Sequence, residues 1–259
     1  MARMGARLCK LTLLCVLVMV ILRMAACACG EERRPLIAVV VDDLGYSVEM
    51  AGQFAKLPIP LTWSIIPYQK HSLDTAEIAR SRGIPFMLHL PMEAKGAGAD
   101  RQSLVRMGMS DEAIRLTVRN ALWSLPGVAG LNNHRGSRAT ESRSVMEPLL
   151  REVAAEGLFF IDSRTSGSSV AYPVAMEMGV PATLNRSFLD HVDRDDFMWS
   201  QFEKARAIAV KHGGAVVICH ARYGMLRFLP KLYEKASGDV EFVTVPEYLE
   251  QKRIGGWEE

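Results

Sequence analysis

Short apolar runs alternate with amphipathic stretches along most of the chain, and glycine, proline and small polar residues punctuate the joins. Residues 36–41 form an unbroken run rich in valine and isoleucine, the pattern of a strand covered on both faces. Further strands are expected at 61–67, 84–88, 128–131, 158–161, 180–184, 215–219 and 240–245. Helical periodicity fills the intervals. Segments 48–57 and 72–82 read as helices, the second closed by Gly83. Ser110 caps a helix whose first turn holds Asp111 and Glu112, with Ile114, Val118, Ala121 and Leu122 on one face. Ser144 and Glu147 have capping-box spacing ahead of a stripe that ends at Gly157. Segment 195–212 is a helix stopped by Gly213, 226–236 is another, and Pro246 opens the last. About seven strand–helix units in alternation imply a parallel sheet.

The first residues break this rhythm. Arg3, Arg7 and Lys10 precede an apolar run over 11–22, and Ala26-Cys27-Ala28 supplies small residues for cleavage. Segment 1–28 is therefore expected to be a secretory signal or an N-terminal anchor, with 29–35 a linker and 36–259 the folded domain. Met24-Ala25-Ala26-Cys27 leaves a lipoprotein box open as a third form of the same export signal. Each form places the domain outside the cytoplasm, in the periplasm or beyond, with membrane contact only through this segment. The composition changes with it. The formal charge of +2 includes four basic residues of this segment, so the rest carries 27 Lys and Arg against 29 Asp and Glu. A near-neutral domain excludes a nucleic-acid footprint. Cys219 is the lone cysteine of the body, which excludes an internal disulfide there.

Chemistry gathers where apolar runs end. Val41 leads into Asp42-Asp43, Leu88 into His89, Leu131 into Asn132-Asn133-His134, Ile161 into Asp162, and Cys219 into His220. In a parallel α/β barrel those positions share the C-terminal rim, where active sites are assembled from several strands. Two histidines and a carboxylate suit zinc or a similar divalent metal with open positions. A second carboxylate can act as general base and a further histidine as general acid. Simpler roles exist for each alone: an Asx-turn or cap for the aspartates, an ion pair with Arg164 for Asp162, a solvated loop acid for Glu93. His71, His191 and His212 lack the strand-end position.

Four motifs carry a resemblance. Val39-Val40-Val41-Asp42-Asp43-Leu44-Gly45, Leu88-His89-Leu90-Pro91-Met92-Glu93, Asn132-Asn133-His134-Arg135-Gly136-Ser137 and Phe160-Ile161-Asp162-Ser163-Arg164-Thr165 occur in order, and the chain resembles the divergent polysaccharide deacetylases over roughly 35–253. The resemblance implies an irregular (β/α) barrel of about seven parallel strands. It implies Asp42 as base, Asp43 and His89 as ligands of a divalent metal, most simply zinc, and His220 as acid. A second histidine four residues after the first is replaced by Glu93, so His134 becomes the third ligand, with Glu93 its rival. Asn133, Asp162, Arg164 and Arg222 are expected at the substrate. The relatives' arginine–proline motif is absent. The partner implied is a cell-envelope glycan that loses acetyl groups. An idle glycan-binding protein on the same fold, and a phosphoester hydrolase, stay open as alternatives.

Overall fold

A computed structural model describes residues 34–96 and 104–256. The expected signal or anchor (1–28) and most of the linker (29–35) lie outside the described residues. Among those described, no helix is long and apolar enough to cross a membrane.

The long first strand, β1 (Leu36–Leu44), organises the barrel. It is followed by β2 (Thr62–Ile65), β3 (Phe86–Met92), β4 (Gly130–Arg135), β5 (Phe159–Asp162), β6 (Ala182–Phe188) and β7 (Gly214–His220), all parallel. β7 pairs back onto β1 and closes the ring of seven strands. An eighth strand, β8 (Glu241–Val243), pairs only with Leu36–Ala38, below the point where β2 joins β1. Helices α1 (Val48–Phe54), α2 (Ser72–Ser81), α3 (Asp111–Trp123), α4 (Arg143–Ala155), α5 (Ala171–Glu177), α6 (Asp195–His212), α7 (Tyr223–Ala236) and α8 (Val245–Gly255) complete the described elements, apart from a 3-10 turn at Ala139–Glu141.

The strand period of two sorts the side chains into two cores. Ile37, Val39 and Val41 of β1 join the large outer core packed by helices, with Leu88, Leu131, Val217 and Phe202. Ala38 and Val40 face inward with Met87, Ile161, Val216 and Ile218, and Val243, Val245 and Tyr248 plug the lower end. The next inward position on each strand is polar: Asp42 follows Val40, His89 follows Met87, and His220 follows Ile218. The interior is thus dry below and polar above.

The strands run further than apolarity alone implies. β3 continues to Met92, β4 to Arg135 and β6 to Phe188, because the ladder pairs polar residues as readily as apolar ones: His89 lies against Asn132 and Pro91 against His134. A helix at α5 carried too short an apolar stripe to be expected. The capping box expected at Ser144 and Glu147 is absent. α4 starts two residues earlier, after Ser142, and Glu147 pairs with Arg143 instead. A capping box does open α8, from Thr244 and Glu247.

Gly130 opens β4 beneath the ring of Phe159, where a Cβ would meet the ring at 2.3 Å. Alanine normally gains about 0.5–1 kcal/mol over glycine within a strand, but overpacking costs roughly 1–3 kcal/mol. The clash should win, so Gly130→Ala is expected to lower the urea midpoint with an unchanged m-value.

Candidate metal centre

Adjacent residues of a regular strand point to opposite faces. Asp42 and Asp43 escape this rule because the β1–β2 register slips between Val41 and Leu44, and Asp43 takes a left-handed φ of 64°. Such a bulge re-aims side chains. Both carboxylates then reach the same imidazole: His89 Nε2 is 3.5 Å from Asp42 Oδ2 and 3.3 Å from Asp43 Oδ1. His134, two residues beyond Asn132 on β4, brings its Nε2 to 3.6 Å from the same Asp43 oxygen.

The donor atoms of Asp43, His89 and His134 all lie within 4.8 Å of one another. Asp43 Oδ1 is buried and has no aligned hydrogen-bond partner among the described residues. A buried carboxylate oxygen facing two imidazole nitrogens, without a proton well placed between them, is the arrangement a divalent cation satisfies. The tautomer agrees. His89 Nδ1 lies 2.7 Å from Asn132 Oδ1, an atom that only accepts, so Nδ1 carries the proton and Nε2 offers its lone pair. The Asn132 amide is oriented by both ends: Ser64 Oγ donates to its oxygen at 2.6 Å, and its Nδ2 donates to Asp42 Oδ1 at 2.9 Å. One buried amide therefore fixes a ligand and the neighbouring carboxylate together.

Electrostatics separate the two aspartates. Burial raises the Asp42 carboxyl above its ordinary range, with a further push from Asp43, and the opposing pull of His89, His220 and Asn132 does not cancel this. Burial also disfavours the Asp43 carboxylate, but contact with His89 and the charges of His89, His134 and His220 outweigh it and hold it well below the usual range. His134 is pushed down to about 4 by burial and by the neighbouring His89. For His89, burial lowers the pKa, yet Asp42, Asp43 and Asn132 raise it on balance.

His220 ends β7 beside Asp42 in the ladder. Its Nδ1 lies 2.9 Å from Asp190 Oδ1, and its backbone N–H donates to Asp190 Oδ2 at 3.0 Å. Burial works against the imidazolium, but the bond to Asp190 and that residue's charge raise its pKa overall. Phe188 stacks on the ring at 5.9 Å. Asp42, Asp43, His89, His134 and His220 all line one cleft of about 510 Å³, which Asn133 and Arg222 also border. That volume fits a small-molecule or sugar site. A cavity of similar size, about 520 Å³, lies at the opposite end near Phe159, Val180 and Leu249, where Glu250 and Arg253 pair with each other.

The remaining expected residues divide. Glu93 is not a ligand: its carboxylate holds Arg138 at 3.0 Å and accepts from the Met107 N–H at 2.8 Å, clipping a loop. Asp162 is fully buried and accepts from the backbone N–H groups of Arg164 and Tyr172, so the expected substrate contact is corrected to a scaffolding role. Its tie to Arg164 runs through the backbone, not the guanidinium. The Asn133 amide is likewise engaged, by Ser163 N and Arg135 O, although it borders the cleft. Arg222 borders the cleft, whereas Arg164 lines an adjoining cavity. Asn132 and Asp190 were not expected at the site. Phe188-Leu189-Asp190 repeats the signal of an apolar run ending in an acid, and would have stood out had β6 been followed to its true end.

Comparison with known proteins gives a consistent result. The profile of a family described as divergent polysaccharide deacetylase matches residues 39–249. An uncharacterised protein of Haemophilus influenzae is 31% identical over 218 residues, covering 84% of this chain and 78% of its own. The protein YibQ of Escherichia coli is 26% identical, over 84% of this chain and 68% of its own. A crystal structure of an uncharacterised protein from Agrobacterium tumefaciens shares the fold, with a TM-score of 0.78 at 21% identity, over 85% of this chain and 91% of its own.

The protein is expected to bind one divalent metal ion per chain, with His89→Ala and His134→Ala losing it while the far-UV circular dichroism is kept. Elemental analysis of the dialysed proteins checks this. Asn132→Ala should weaken affinity by about 10–100-fold through the freed His89 ring. Because the raised His89 pKa makes a proton the metal's competitor, zinc affinity should fall as the pH drops through that pKa, which titration with a chelating indicator follows.

Proposed function

The chain belongs to the divergent polysaccharide deacetylase family, and from that premise we propose that it is a metal-dependent hydrolase removing acetyl groups from an extracytoplasmic, cell-envelope polysaccharide. The observation that carries this reading is the convergence of a ligand triad, a separate buried carboxylate and an aspartate-backed histidine on one cleft. Asp43, His89 and His134 would hold the metal, with zinc the choice this donor set favours. A zinc ion there supplies Lewis acidity, polarising a carbonyl and making water easier to deprotonate.

The chain's own groups do the rest. Asp42 has its Oδ1 fixed by Asn132, and its raised pKa suits a base that must take up a proton. It accepts the proton of water as the oxygen adds to the acetyl carbon. His220 is held by Asp190 with Nε2 left for substrate, and the same contact raises its pKa, which favours the protonated form an acid needs. It gives that proton to the departing nitrogen or oxygen as the C–N or C–O bond breaks, and acetate leaves. Arg222 and Asn133 border the space the sugar would occupy. Export through the N-terminal segment, as its sequence pattern leads one to expect, would bring this chemistry to the envelope.

Acetate release from acetylated sugar oligomers, measured with added zinc, tests the reading. Asp42→Asn should lower kcat by about 10²-fold or more while zinc content stays unchanged. A wild-type protein that binds zinc and the oligomer yet releases no acetate would leave an idle glycan-binding protein in its place. Asp190→Asn removes what raises His220, so the alkaline limb of the kcat/KM profile should move to lower pH.

A further inference from the structure

Beside the metal cleft lies a second cavity, of about 450 Å³, that shares Phe188 and His191 with it. Its charged lining differs in sign. Arg164, Arg186 and Lys204 border it, and no carboxylate does. None of these three cations lines the metal cleft itself.

Their placement is built. Arg164 follows β5 in a left-handed conformation with φ of 53°, and its backbone N–H is tied to the buried Asp162. A non-glycine residue in that region costs roughly 1–3 kcal/mol and persists where its surroundings impose it. Arg186 sits at a register slip of β6 against β7, between Asn185 and Ser187. Bulges beside active sites turn a side chain out of the normal alternation. Lys204 comes from α6 and borders the same space as Gln201. Elsewhere on the surface arginines pair with acids: Arg143 with Glu177, Arg206 with Glu203, Arg253 with Glu250. The Arg164 guanidinium and the Lys204 ammonium have no carboxylate partner among the described residues.

Building on the deacetylase reading, we propose that this cavity is an anion subsite that selects glycans bearing a carboxylate on the sugar next to the acetylated one. A fork-shaped guanidinium and an ammonium give a carboxylate directional, charge-assisted hydrogen bonds. Phe188 and Phe197 offer apolar ring faces to the sugar that carries it. Because the cations stand in the adjoining cavity, the anion they fit is a substituent one unit away from the reacting carbonyl.

Calorimetric titration of the full chain decides it. The probes are N-acetylglucosaminyl-N-acetylmuramic acid, which carries a free carboxylate, and the same disaccharide with that carboxylate converted to a methylamide. The acid should bind about tenfold tighter at low salt, as one or two charge-assisted hydrogen bonds allow. The double variant Arg164→Asn/Lys204→Gln should bring the ratio close to one with zinc content unchanged. Lys204→Gln alone, on an exposed helix face, should reduce it in part. Equal affinities for the two probes, or a preference that survives the double variant, would overturn the subsite. Acetate release from both probes at equal rates with equal affinities would sink the subsite and leave the deacetylase reading standing. Preferential binding of the acid without acetate release would support the subsite and remove the deacetylase reading.

Discussion

The architecture of the site depends on one local constraint: two carboxylates that are neighbours in sequence must face the same imidazole. A straight strand forbids it. β1 achieves it with a register slip and a left-handed aspartate, whose strain is roughly 1–3 kcal/mol. Backbone bonds on either side impose the geometry: Ala221 N–H donates to Asp42 O, Ile66 N–H to Leu44 O, and His71 N–H to Gly45 O. These tie the bulge to the ends of β7 and β2, so the strain is held by the barrel's closure. β1 pairs with β8 through Leu36–Ala38 and with β2 from Val40 onward, and the slip falls within the β2 pairing, between Val41 and Leu44.

Once both acids face His89, their environments drive them apart. Asp42 is almost fully buried and held by an amide; Asp43 is more open and faced by two imidazoles. The first is pushed toward the neutral form and the second toward the anion. Like groups with pKa values moved in opposite directions are the usual signature of divided roles. Asn132 makes the division rigid, since one side chain orients the ligand His89 and the acid Asp42 at once. His220 and Asp190 repeat the logic across the cleft, where a buried acid orients a histidine and raises its pKa.

How far the sequence could carry this is visible residue by residue. Asp42, Asp43, His89, His134 and His220 could be read because each ends an apolar run, and in a parallel barrel the ends of runs share a rim. The parallel sheet followed from the alternation of strands and helices, and its closure into a barrel from the family resemblance. Asp190 is not legible because hydrophobicity fades before β6 ends, so that end looks like loop; Asn132 does stand at the end of an apolar run, but the pattern does not show that its amide turns to His89 and Asp42. Asn133 and Asp162 show the opposite error. Both end apolar runs, yet their polar atoms are spent on the backbone of the β4 and β5 ends. Glu93 likewise turns away to Arg138. Rim position is legible from pattern; which polar atoms remain available after the loops have satisfied their own N–H groups is not, because that depends on turns the pattern does not encode.

A division of labour between strand and loop follows from these placements. Asp42, Asp43, His89, Asn132, His134 and His220 all lie within strands, at or near the places where the ladders end, and Asn132 is paired on both sides. The groups that border the cleft and the cavity beside it, Arg164, His191 and Arg222, come from connections after strands. Groups that must hold an ion to a few tenths of an ångström gain from rigid strands, and groups that choose among glycans gain from segments free to change without disturbing the ladder. The lower half of the barrel serves the first purpose too. Ala38, Val40, Met87 and Ile218 form an apolar layer with Tyr248 beneath the polar one, and the polar layer faces the cleft. The dry core is therefore part of the site, because it makes the fields around Asp42 and His89 strong enough to set their protonation.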